Sequence, residues 1–138
     1  MINRRQALKA AAAALPLTSA RAQTPAQESL KRTALMTQDL PPMNGQELVV
    51  TVQELEYAPG GQSDAHRHNG CTFVYVLEGA LVAKIDDGPE KTYTPGQIFY
   101  EPPLHLHAAS RNASQAKPAR FLVFRVIEKG KPATVPAQ

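Results

Sequence analysis

Tryptophan is absent, and cysteine occurs once, at Cys71. A lone thiol excludes an internal disulfide. Charged residues are few, 20% against 43% hydrophobic, which excludes a solvated, disordered chain. No apolar run reaches the ~18 residues that a membrane span needs. The sequence has no internal repeat, no Gly-rich phosphate loop and no Gly-x-Ser-x-Gly elbow. No segment carries a convincing helical stripe. With 138 residues, the chain has room for one domain.

A formal charge of +3 and a pI near 9.2 suggest a nucleic-acid partner until their source is located. Residues 1–22 contain Arg4, Arg5, Lys9 and Arg21 and no acid, so the remainder holds eleven basic and twelve acidic residues. A body this close to neutral, without a basic stripe, has little to offer a phosphate backbone. Nucleic acid is therefore not expected as a partner.

The basic N-terminus reads as an address. Asn3-Arg4-Arg5-Gln6-Ala7-Leu8-Lys9 resembles a twin-arginine export signal, with Ala7 where Phe is common. Ala10 to Leu17 form a short apolar stretch, and Ala20-Arg21-Ala22 has the form of a cleavage site. Residues 1–22 are therefore expected to be a signal peptide, 23–30 a linker and 31–138 the folded domain. The expected location is the periplasm or the exterior of a bacterium.

Pro and Gly, 12 and 8 residues, punctuate a series of short β-rich segments. Strands are predicted at Thr33–Met36, Glu47–Tyr57, Thr72–Leu77, Ala80–Ile85, Lys91–Tyr93, Ile98–Tyr100, His105–Ser110 and Phe121–Ile127. The end from Lys129 is polar and Pro-rich. About eight strands at about 8–12-residue spacing describe an all-β sandwich or barrel.

The four histidines fall into two His-x-His pairs, His66/His68 and His105/His107. In a strand, residues i and i+2 share a face roughly 7 Å apart, close enough for two imidazoles to reach one metal ion. A third His from a neighbouring strand would complete a facial set. Spacing alone leaves solvated surface histidines as an equal reading.

The surroundings of these pairs resemble the cupin superfamily. Gly60, five residues and His66-Arg67-His68 match the start of its first motif, and Tyr75-Val76-Leu77-Glu78-Gly79 its end. Gly96, five residues, Pro102 and then His107 match the second, with Leu104 in place of Gly and Asn112 one residue late. The resemblance implies a double-stranded β-helix barrel over Lys31–Pro136. It implies His66, His68 and His107 as ligands of one divalent transition metal (Fe, Mn, Zn, Ni or Cu). It also implies a small-molecule ligand and a homodimer.

The motif's carboxylate position holds Thr72, so the fourth ligand is expected to be lost. Glu101 is the nearest substitute, but its direction is not readable from the sequence. Alternation sends Cys71 away from the histidines unless a bulge at Asn69-Gly70 reverses it, and the usual burial of a free thiol favours a place in the core. His105 reads as a fourth ligand, an acid/base group or a solvent-facing residue. Tyr100 is a neighbour of the site, and Phe73 and Tyr75 are packing residues.

Three neutral imidazoles would leave the ion's charge uncompensated and attract an anionic chelate. The leading expectation is an exported, dioxygenase-like non-haem metalloenzyme acting on a small anionic or oxygenated molecule. The alternatives are a non-catalytic ligand- or metal-binding module and a metal-free epimerase- or dehydratase-type enzyme.

Overall fold

A computed structural model describes residues 29–138. The expected export signal, and the linker up to residue 28, lie outside the described residues. The described chain contains eleven strands and no helix: β1 (Leu30–Asp39), β2 (Leu48–Tyr57), β3 (Gln62–Ser63), β4 (His66–His68), β5 (Cys71–Glu78), β6 (Leu81–Ile85), β7 (Lys91–Tyr93), β8 (Ile98–Glu101), β9 (Leu106–Asn112), β10 (Ala119–Glu128) and β11 (Thr134–Pro136).

They form two antiparallel sheets, ordered β1-β2-β10-β5-β8 and β11-β4-β9-β6-β7, with β3 added to β9. This all-β architecture is that of a single-domain β-barrel. Alternation sets its inside. Along β10, Ala119, Phe121, Val123, Arg125 and Ile127 are buried, while the residues between them are half-exposed. Val74 and Val76 of β5, Leu81 and Ala83 of β6, and Leu55 and Tyr57 of β2 pack with Ala119, Phe121 and Val123 into one apolar core. The Tyr57 and Phe121 rings meet at 5.3 Å between centroids, and those of Tyr93 and Phe99 stack at 4.4 Å.

Four elements differ from the sequence expectation, the two-residue strand β3 among them. The weak Thr33–Met36 segment extends to ten residues as β1 and pairs with all but the first residue of β2 across a bulge at Leu35. The His-x-His segment is itself a strand, β4. The Pro-rich end contributes β11, which pairs with β4 as Thr134↔His68, Val135↔Arg67 and Pro136↔His66. Proline is tolerated there because β11 is an edge strand.

Asn112, 2% exposed, ties down the loop after β9. Its Nδ2 donates to the carbonyls of Ala58 and Lys117, at 3.0 and 2.7 Å, and its Oδ1 accepts from the Ser114 amide at 2.9 Å. Gly70 precedes β5 where a Cβ would lie 2.1 Å from the Val126 carbonyl oxygen, so only glycine fits. The turn into β9 keeps the left-handed backbone of a glycine although it carries Leu104, at φ 63°.

Left-handed backbone costs a non-glycine residue about 1–2 kcal/mol, and glycine's extra chain entropy returns about 0.5–1 kcal/mol of that. The Leu104 side chain is exposed, and its amide donates to the His68 carbonyl at 2.7 Å, a bond that glycine retains. Leu104→Gly is therefore expected to stabilise the fold by about 0.5–1 kcal/mol, read from the midpoint of urea denaturation; a lower midpoint would show that Leu104 contributes packing instead.

Candidate metal centre

The six-stranded sheet supplies three imidazoles. On β4, alternation turns His66 and His68 to the barrel interior and Arg67 outward, where its Nη1 donates to the Leu104 carbonyl at 2.7 Å. His107 of β9 stands directly across from His66 in the ladder. The ring centroids lie 4.7 Å apart for His66–His68 and 5.1 Å for His66–His107. The structure thus brings the three expected histidines together.

The five-stranded sheet supplies a carboxylate. On β8, Phe99 and Glu101 point inward, while Ile98 and Tyr100 point out. Glu101, 3% exposed, places Oε2 3.1 Å from His68 Nε2 and 3.0 Å from His107 Nδ1. The expectation of a three-His centre without a carboxylate is therefore corrected. Thr72, at the motif's Glu position on β5, pairs directly with Glu101 on the neighbouring strand. The carboxylate enters the same row of the sheet one strand over. Glu101 shares the parity of Phe99, but the flanking Ile98 and Tyr100 offer the opposite parity equally well in the sequence.

The protons of this cluster can be assigned. His66 Nδ1 lies 2.7 Å from the Asp64 carbonyl oxygen, and His68 Nδ1 lies 3.1 Å from that of Ala133. A carbonyl only accepts, so both Nδ1 atoms carry the proton and donate it. In the neutral rings both Nε2 atoms then present lone pairs, and these face each other at 3.1 Å. Two lone pairs at that distance repel unless a cation lies between or beside them.

Burial holds the His66 ring below its ordinary pKa, an effect that the Asp64 carbonyl partly opposes and the neighbouring rings of His107 and His68 reinforce. Protonation of His66 is therefore a poor source of that cation. Burial pushes the Glu101 carboxyl up, whereas hydrogen bonding and charge from His107 and His68 lower it, an effect that requires a proton on the imidazole nitrogens that face it.

Other atoms also lack partners. Both ring nitrogens of His107, Glu101 Oε2 and Thr72 Oγ1 are buried without an aligned hydrogen bond. The 3.0 Å approach of His107 to Glu101 is thus a convergence of atoms, not a directed bond. The ligand atoms of His66, His68, Glu101 and His107 all lie within 4.8 Å of one another. Buried, unpaired and convergent nitrogen and oxygen donors fit a divalent ion.

The other candidates lie elsewhere. His105 is half-exposed and pairs with Asp86, Nδ1 to Oδ2 at 2.5 Å, away from the cluster. Cys71 is on the outer face of the sheet and not in the core: it is half-buried and takes a hydrogen bond from the Tyr100 hydroxyl at 3.4 Å. Tyr100 shares that outer face, stacked on Phe73 at 5.0 Å.

The family described as "Cupin domain" matches residues 53–125, just over half of the chain and all four clustered residues. The chain is a cupin. Germin-like protein 1-1 of Oryza sativa subsp. japonica is 36% identical over 80 residues, which span 54% of this chain and 36% of that protein. The cupin thus matches about a third of the length of this curated relative.

Solved structures share the fold at low identity. An RmlC-like cupin from Shewanella frigidimarina has a TM-score of 0.56 at 20% identity, covering 74% of this chain and 79% of the other. The DMSP lyase DddQ from Ruegeria pomeroyi scores 0.65 at 17% identity, over 90% and 59%. An oxalate oxidase in complex with glycolate scores 0.58 at 19% identity, over 89% and 68%.

If these four side chains hold an ion, purified wild-type protein binds one divalent metal per chain, by elemental analysis after dialysis. His66→Ala, His68→Ala, His107→Ala and Glu101→Gln each lose most of it, whereas His105→Ala keeps it. Undiminished metal in the four cluster variants would refute the assignment.

Proposed function

We propose that this cupin is an exported metalloenzyme that uses His66, His68, His107 and Glu101 to hold one divalent transition metal and acts on a small anionic or oxygenated molecule, with dioxygenase-like chemistry as the leading reaction type. The observation that carries this reading is the pair of facing Nε2 lone pairs, locked by backbone carbonyls beside an ionised carboxylate. A metal-free acid/base enzyme would use such a lock on a single imidazole, but two Nε2 lone pairs turned toward each other at 3.1 Å pass no proton between them. Three imidazoles and one carboxylate suit Fe, Mn, Zn, Ni or Cu.

The cluster opens into a cavity of about 490 Å³, within the range of small-molecule sites. Leu81, Val74, Phe99 and Val123 supply apolar walls that limit water. Tyr57 and Ser110 supply hydroxyls 3.0 Å apart. Burial pushes the Tyr57 phenol up, so it stays protonated and available as a donor. As a carboxylate, Glu101 would cancel half of a divalent charge. A bound ion would supply a Lewis-acid centre and, for iron, manganese or copper, redox capacity.

Oxygen uptake tests the reaction type. The iron-loaded protein is expected to consume oxygen with at least one of an enol, a catechol or a thiol, and Glu101→Gln to lose that activity by tenfold or more. No uptake with any of them, from protein that holds its metal, would favour a non-catalytic binding module.

Two further parts of the reading concern the whole chain. Export rests on the arginine pair; fractionation should recover a product beginning near Gln23 in the periplasm, and Arg4→Lys with Arg5→Lys should abolish it. Homodimer formation rests on the outer face at edge strand β8, where Phe73, Tyr75, Ile98 and Tyr100 lie exposed. Light scattering should give twice the chain mass, and Ile98→Glu should halve it; a monomeric wild type would end that part.

A further inference from the structure

Arg125 is the one buried cation of the barrel interior among the described residues, 9% exposed on the inward face of β10. Its Nη1 donates to Gln53 Oε1 at 3.0 Å, and its Nε is buried without a partner. Among the described residues, it joins no ion pair. Its neighbours in the inward row of the sheet are Thr51 on one side and Thr72 on the other, both neutral. Glu101 lies one strand further on, with Oε2 turned to His68 and His107.

A buried guanidinium without a carboxylate is costly, and proteins seldom keep one without a use for it. The surroundings add to the cost. Arg32 of β1 lines the same cavity; burial lowers the affinity of the Arg125 guanidinium for its proton, the charge of Glu101 opposes that, and Arg32 adds a smaller lowering. Among the described residues, the only acids on the cavity wall are Glu101, committed to the histidines, and Asp64, exposed at the rim. With a divalent ion held by the cluster, the interior carries a surplus of positive charge at both ends.

We propose that Arg125 receives a carboxylate of the substrate, so that the substrate class is a bifunctional acid: one carboxylate on Arg125, supported by Gln53 and Arg32, and a second oxygen function, hydroxyl, oxo or carboxylate, directed at the His66–His68–Glu101–His107 cluster. This rests on the cluster being a metal site. Arg125 and Glu101 stand two strands apart in one row, so their backbones are about 10 Å apart and both side chains enter one cavity. One small molecule reaches both. A planar guanidinium with free donors is the group best matched to a carboxylate. The apolar walls at Val74, Phe99 and Val123 suit the carbon chain between the two functions.

The test uses the zinc-loaded and the metal-free protein, with succinate as probe and succinamide as its uncharged counterpart. Succinate is expected to bind both forms of the wild type in calorimetric titration, and succinamide neither. Arg125→Gln should weaken succinate at least tenfold in both forms while its metal content stays at the wild-type level. Its thermal midpoint without ligand should hold or rise, because an uncompensated charge has been removed. Arg125→Lys, which keeps the charge, should retain part of the affinity and serves as a second variant if Arg125→Gln does not fold.

Equal succinate affinity in wild type and Arg125→Gln would overturn the proposal, as would no succinate binding to wild type, or a lowered midpoint without loss of affinity. If the wild type held no metal yet showed Arg125-dependent succinate binding, the carboxylate site would stand and the metal reading would fall. Metal binding without Arg125-dependent succinate binding would give the reverse.

Discussion

Two imidazole nitrogens facing each other with their lone pairs are the constraint on which the centre depends. A carbonyl behind each ring, Asp64 for His66 and Ala133 for His68, settles which nitrogen is protonated. These carbonyls do for the rings what outer hydrogen bonds do at metal sites generally: they orient the ligand and raise its basicity. Without a cation, the arrangement stores repulsion. With one, the same geometry is pre-organised and little entropy remains to be lost. The fold tolerates the repulsion because β4, β9 and β11 hold the backbones through ladders that the side chains cannot shift.

The remainder of the barrel serves that end. Phe121, Val123, Val74 and Val76 pack one part of the interior, and a row of polar side chains, Thr51, Arg125, Thr72 and Glu101, crosses the other. Burial of apolar area, at about 25 cal/mol per Å², offsets the desolvation of a carboxylate and a guanidinium in the same sheet. The stability of a β-barrel and the reactivity of its interior therefore draw on adjacent rows of the same strands.

Period-two patterning made much of this legible in the sequence. The strands around Thr72–Leu77 and Phe121–Ile127, the shared face of His66 and His68 and the all-β class follow from alternation and turn residues. Glu101 was harder, because a four-residue strand ending in Pro102-Pro103 offers two equivalent parities, and only packing of Phe99 against Tyr93 selects one. Cys71 was misplaced for a related reason. Its burial was inferred from residue type, whereas the hydroxyl of Tyr100 gives the thiol a partner on the outer face. β11 carried no signal at all: Pro132 and Pro136 read as a tail, and only the ladder to β4 brings Ala133 and Thr134 to the cavity.

That ladder bears on when the centre comes into being. The carbonyl that sets the protonation of His68 belongs to Ala133, 65 residues downstream of the ring it governs. During synthesis, both His-x-His pairs and Glu101 leave the ribosome well before the residue that completes their chemistry. An ion captured by the nascent chain would meet a histidine free to offer either nitrogen. The cluster takes its final protonation only when the last strand closes over it, so any choice among ions would be made by a finished barrel and not by a growing one.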